Sequence, residues 1–181
     1  MTYRQTLREL AWSNHGIVTV RDAEAAGVPA VEVRKLASRG ALERVGHGVY
    51  RSTEVPAGPL DEYAEAVAIA GPDAVLADEA VLAAHNLGQV NLRQIKVATK
   101  TPARKQLPST IKMVIRSVAD ADRDDVDGIP AMSLAAALRS VAAAHALLPE
   151  RVVEAAKTAA ARGMISPAER DQVVMLTVNA G

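Results

Sequence analysis

The sequence predicts a helix-rich α+β protein in two domains, and three observations carry that prediction. Alanine supplies much of the 49% hydrophobic fraction, aromatics make up 2% and Phe is absent, a composition that suits helices packed closely through small side chains. Apolar residues recur at helical spacing in runs that stop at a glycine, whereas a few segments alternate with the period of a strand. Residues 52–59, STEVPAGP, hold two prolines, a glycine and small polar residues, the composition of a boundary. The expected domains are 1–55 and 60–181, within a length of 181 residues that allows one good core or two small ones.

In the first domain, Tyr3, Leu7, Leu10 and Ala11 share a helical stripe that Asn14-His15-Gly16 ends. Ile17-Val18-Thr19 is extended. RDAEAA follows as a short helix, with Thr19 as its cap, Asp22 and Glu24 at its positive end and Gly27 as its stop. Pro29 opens a third helix at its first turn, where its fixed φ fits; Val33, Leu36 and Ala37 face inward, Glu32, Arg34, Lys35 and Ser38 face outward, and Gly40 ends it. Leu42–Val45 and Gly48–Arg51 have strand character, and Gly46-His47-Gly48 between them supplies the positive φ of a tight hairpin. Three short helices and a hairpin, in that order, make a winged helix-turn-helix, whose third helix enters the DNA major groove beside the wing.

The second domain reads as mixed α+β. Tyr63, Val67 and Ala70 mark a helix ended by Gly71-Pro72, Ala74-Val75-Leu76 is extended, and another helix runs through about His85. In RQIKVATK, Ile95, Val97 and Thr99 oppose Lys96, Ala98 and Lys100; in IKMVIR, Ile111, Met113 and Ile115 oppose Lys112, Val114 and Arg116. These two strands are expected to pair as a hairpin with one oily and one cationic face, TPARKQLPST forming the connection. Helices are expected from Ser133 to about Ala144, from Pro149 to Arg162, and after Ser166-Pro167, a cap and first-turn proline with Glu169 placed for a capping box.

Charge is balanced overall, with 21 Lys+Arg against 21 Asp+Glu, so only its distribution can point to a partner. Arg34, Lys35, Arg39, Arg44 and Arg51 gather on the third helix and wing, where phosphates are met. With Arg21, Ser38 and His47 they form the expected DNA-binding set. A second basic surface is expected between Glu79 and Asp120, a stretch without acids that carries Arg93, Lys96, Lys100, Arg104, Lys105, Lys112 and Arg116. That surface could extend a DNA footprint, dock RNA or an acidic partner, or be the solvated side of a sheet.

Catalytic signatures are missing from the sequence. The four histidines, His15, His47, His85 and His145, lack ligand spacing, and there is no Cys for a thiol nucleophile or a thiolate zinc site. Asp120, Asp122, Asp124, Asp125 and Asp127 match no calcium loop and read as a solvated turn. A magnesium nuclease needs carboxylates beside a Lys on adjacent strands, and the two cationic strands contain no acid. No enzyme activity, cofactor or metal is expected. No stretch approaches the roughly 18 apolar residues of a membrane span, and the lack of Cys fits a reducing cytosol, so the expected location is cytoplasmic with no membrane partner.

The run GIVTVRDAEAAGVPAVEVRKLASRGALERVGHGVYR resembles the N-terminal winged-helix region of AbiEi-type antitoxins of type IV toxin–antitoxin systems. The shared pattern is G-hydrophobic-hydrophobic-T, A-x-x-x-GV and L-x-x-x-G-x-L-x-R-x-x-x-GVYR. AGPDAVLADEAVLAAHNLG, DGIPAMSLAAALRSVA and RGMISPAERDQV resemble later segments of the same family. The resemblance implies a non-catalytic repressor that binds inverted repeats in the double-stranded DNA of its own promoter and counters a nucleotidyltransferase-type toxin, directly or indirectly. It maps the recognition helix to Pro29–Arg39 and the wing to Leu42–Arg51. Where relatives start that helix with Ser or Thr and more Arg, this chain has Pro29-Ala30-Val31-Glu32, with little hydrogen-bonding capacity for bases. A protein-interaction module, or a winged-helix regulator unconnected to a toxin, is the alternative reading.

Overall fold

A computed structural model describes residues 1–103 and 105–179. The chain is α+β and divides into two compact units, residues 1–72 and 73–181.

The first unit contains α1 (Tyr3–Ser13), β1 (Ile17–Thr19), α2 (Val20–Ala25), α3 (Ala30–Ser38), β2 (Leu42–Gly46), β3 (Val49–Ser52) and α4 (Asp61–Ala70). This is the expected winged helix-turn-helix with a helix added. α1 begins in a capping box between Thr2 and Gln5, and the Thr19 hydroxyl accepts from the Asp22 N–H at 3.0 Å to start α2. α3 begins one residue later than expected: Pro29 stands outside it as the cap residue, with φ −61° and ψ 145°, and provides no side-chain cap. Leu7, Ala11, Val18, Ala23, Val28, Val33, Leu42 and Tyr50 form the core, with Leu10, Leu36 and Val55 packed against it. Tyr50 is only 7% exposed and is a core residue.

The antiparallel sheet has the order β1-β3-β2, so the wing is tied to the helices through β1. The two wing glycines serve different ends. Gly48 takes φ +66° and makes the turn. Gly46 lacks the expected positive φ; it lies at a bulge in the β2–β3 register, and a Cβ there would meet Ile69 Cγ1 of α4 at 2.8 Å. Gly46→Ala is therefore expected to destabilise the chain by about 1–3 kcal/mol through overpacking, and adding Ile69→Ala should recover part of the loss in urea melts.

α4 was expected to open the second domain, yet it belongs to the first unit. Its Tyr63, Ala66, Val67 and Ala70 are buried, and Asp61 and Glu65 hold β3 through Arg51. The proline-rich 52–59 segment is thus a link inside the unit, and the division falls after Gly71-Pro72.

The second unit contains β4 (Val75–Leu76), α5 (Glu79–Ala84), β5 (Ile95–Thr99), β6 (Ile111–Ile115), a 3-10 turn (Asp120–Asp122), β7 (Arg123–Val126), β8 (Ile129–Met132), α6 (Leu134–Ala143), α7 (Pro149–Ala161) and α8 (Pro167–Val178). The sheet order is β6-β5-β4-β8-β7. Two expectations are corrected here. β5 and β6 run parallel, with Lys96 opposite Lys112, because the 100–110 connection contains two prolines and no hairpin turn. The acidic stretch, expected as a solvated turn, instead contains a strand pair, β7–β8, turned at Asp127-Gly128 with φ +50° and +82°. The last three helices start and stop as expected, α8 with the Ser166–Glu169 capping box. α6 buries Leu134, Leu138 and Val141, α7 buries Val152 and α8 buries Val173. Among the described residues no helix is long and apolar enough to cross a membrane.

Candidate nucleic-acid interface

α3 sorts its residues by helical phase. Val33 is 0% exposed and Leu36 and Ala37 are half-buried, while Arg34, Lys35, Ser38 and Arg39 are exposed. Arg34 and Arg39 have no acidic partner among the described residues. Lys35 Nζ lies 2.8 Å from Glu32 Oε1, and the Ser38 hydroxyl donates to the Lys35 carbonyl at 2.8 Å. The strongest cations of the face are therefore Arg34 and Arg39, since Lys35 is partly neutralised one turn away.

On the wing, Arg44 and His47 are exposed. Arg44 Nε donates to the Gly46 carbonyl at 3.2 Å, which ties the arginine to the turn. Arg21, at the start of α2, is exposed and lies 3.6 Å from Asp22. Arg51, expected at the DNA, is taken up within the unit: Nη1 lies 2.9 Å from Asp61 and Nη2 2.9 Å from Glu65. Burial works against its charge, but the hydrogen bonds and charges of Glu65 and Asp61 outweigh it and raise the guanidinium above its ordinary pKa. DEYAE carries the signal for this, two acids four residues apart on one helix face.

The expected second basic surface loses two members in the same way. Asp78 lies at the β4–α5 junction, is only 6% exposed, and has φ 53° and ψ −126°, a conformation rare outside glycine. Its Oδ1 accepts from Arg116 Nη2 at 2.8 Å and from the Ser140 hydroxyl at 2.7 Å. Lys96 Nζ lies 3.3 Å from Asp78 Oδ2 and 2.8 Å from Glu79. Burial alone would raise the Asp78 carboxyl; the Arg116 and Ser140 hydrogen bonds and the charges of Arg116 and Lys96 lower it below its ordinary value. Lys96 and Arg116 therefore neutralise the buried Asp78, and Lys96 also the half-buried Glu79. Asp78 and Glu79 escaped sequence reasoning because they precede β5, on a different element.

Of the remaining members, Arg93, Lys100 and Lys112 are exposed without an acidic partner among the described residues, and Lys105 is exposed. Arg104 lies outside the described residues. The acids that the cationic strands lack in sequence do reach Lys96 in space, yet no group of three His, Cys, Asp or Glu side chains converges among the described residues.

Residues 5–53 match the model of the family described as transcriptional regulator, AbiEi antitoxin. Among solved structures, the chain is similar to the RV2827C protein of Mycobacterium tuberculosis, at 18% identity, over 97% of this chain and 82% of that chain, with a TM-score of 0.42. No match was found among curated proteins. The matched stretch runs from α1 through β3 and so contains the helix-turn-helix and its wing. That stretch of the chain, and not the whole of it, is similar to the AbiEi antitoxin family of transcriptional regulators.

Proposed function

We propose that the first unit binds double-stranded DNA in the promoter of its own operon, represses that operon, and so serves as the antitoxin against a nucleotidyltransferase-type toxin of a type IV system. The observation that carries the reading is the exposed face of α3, with Arg34, Lys35, Ser38 and Arg39, beside a wing bearing Arg44 and His47. Cations on a helix and an adjoining hairpin suit a helix in the major groove and a wing along the phosphates. The second unit contributes no strand-borne patch as continuous as its sequence implies, because Lys96 and Arg116 are paired internally. The role proposed for the chain is regulatory, without catalysis, in the cytoplasm.

Gel-shift titration of the full chain against the region upstream of its own gene tests the reading. Specific retention is expected, with log affinity falling linearly in log salt. Arg34→Ala and Arg44→Ala should each reduce that slope by about 0.9. Failure to retain the DNA, together with rescue of growth against a neighbouring toxin, would instead support a protein-interaction module.

A further inference from the structure

We propose that Val31 reads a thymine methyl group in the major groove, making it a specificity-determining residue of α3. The inference rests on the DNA-binding reading above and adds to it how the first turn of the helix distinguishes bases.

The helix phase supplies the first part of the case. With Val33 fully buried and Leu36 and Ala37 half-buried, the inward side of α3 is defined. At 3.6 residues per turn, the direction opposite that side falls on Val31, Lys35 and Ser38. Val31 is 48% exposed, so an apolar, β-branched side chain occupies the middle of the outermost face, between cations that can hold the helix against phosphates.

The second part is the scarcity of free polar side chains in the first turn itself, before Arg34. Pro29 and Ala30 carry no polar side-chain atom, Glu32 is engaged by Lys35 at 2.8 Å, and the Ser38 hydroxyl donates to the Lys35 carbonyl. The start of the helix therefore presents methyl groups where hydrogen-bond donors and acceptors would otherwise read base edges. In the major groove, the apolar feature of a base edge is the C5-methyl of thymine, and small apolar side chains are its partners. Val31 and that methyl match in chemistry, and the stiff χ1 of a β-branched residue holds its methyls in place.

The test uses the full chain and the DNA upstream of its own gene, with thymines replaced one at a time by deoxyuridine, which removes only the methyl. Uracil at one position per bound site should weaken the wild-type chain roughly fourfold, the value of one lost methyl contact. Val31→Ala, an exposed substitution whose melt should match wild type, keeps one methyl in place of the branched pair and should show a smaller uracil penalty than wild type. Equal wild-type affinity for every uracil probe would overturn the inference while leaving DNA binding intact, as would an undiminished uracil penalty in Val31→Ala. Absence of any wild-type retention would overturn the DNA-binding reading, and this inference with it.

Discussion

Asp78→Ala is expected to destabilise the protein by about 3–5 kcal/mol, because it leaves Lys96 and Arg116 without their shared buried carboxylate. The same site stores backbone strain, since φ 53° and ψ −126° suit glycine far better than a residue with a Cβ. Asp78→Gly loses the same ion pairs but relieves that strain, so it should be about 1–2 kcal/mol more stable than Asp78→Ala. Urea unfolding followed by circular dichroism reads both differences. Equal midpoints for the two variants would show that the backbone at 78 is unstrained.

Acid should act through the same carboxyl. The folded state holds Asp78 below its ordinary value: burial opposes ionisation, but Arg116, Ser140 and Lys96 outweigh it. The unfolded chain therefore takes up the proton first as pH falls. Its contribution is complete above the ordinary aspartate value of about 3.9 and is lost as pH falls through the lower folded value. Asp78→Asn should flatten the acid limb of a stability–pH curve, and a limb of unchanged slope would place the acid sensitivity elsewhere.

Arg51→Ala is expected to cost about 2–3 kcal/mol, because it strips the cation from Asp61, a largely buried acid, and from Glu65. Arg51→Lys should be intermediate, since an ammonium lacks the planar fork that engages both carboxylates at once. In an Asp61→Asn, Glu65→Gln background, removing Arg51 should cost less than about 1 kcal/mol. The readout that separates this role from DNA contact is the salt slope. Arg51→Ala should leave it unchanged, whereas Arg34→Ala should lower it; a lower slope for Arg51→Ala would return this arginine to the interface.

Legibility in the sequence followed how local each signal was. Thr19 and Ser166 mark helix starts because a hydroxyl cap bonds an N–H only a few residues away. The β7–β8 hairpin was legible too, in Asp127-Gly128, a pair suited to two successive positive φ values. The acids around it are equally the composition of a solvated turn, so charge alone does not separate strand from loop there. The 100–110 connection lacks such a turn pair, yet two alternating segments in succession invited a hairpin that the parallel pairing replaces. Periodicity states which residues share a face of a strand; it says nothing of which strand lies alongside or in which direction.

The sequence by itself determined the order of helices and wing in residues 3–52, the glycine at the wing turn, and the outward set on α3, because each depends on contacts within one turn of chain. Only the tertiary structure decided which of those cations remain available. Arg51 meets acids on α4, ten and fourteen positions along. Arg116 meets Asp78, thirty-eight positions back. The cost of desolvating a charge makes such pairing obligatory wherever packing draws the charge inward, and no local pattern records which distant acid packing will supply.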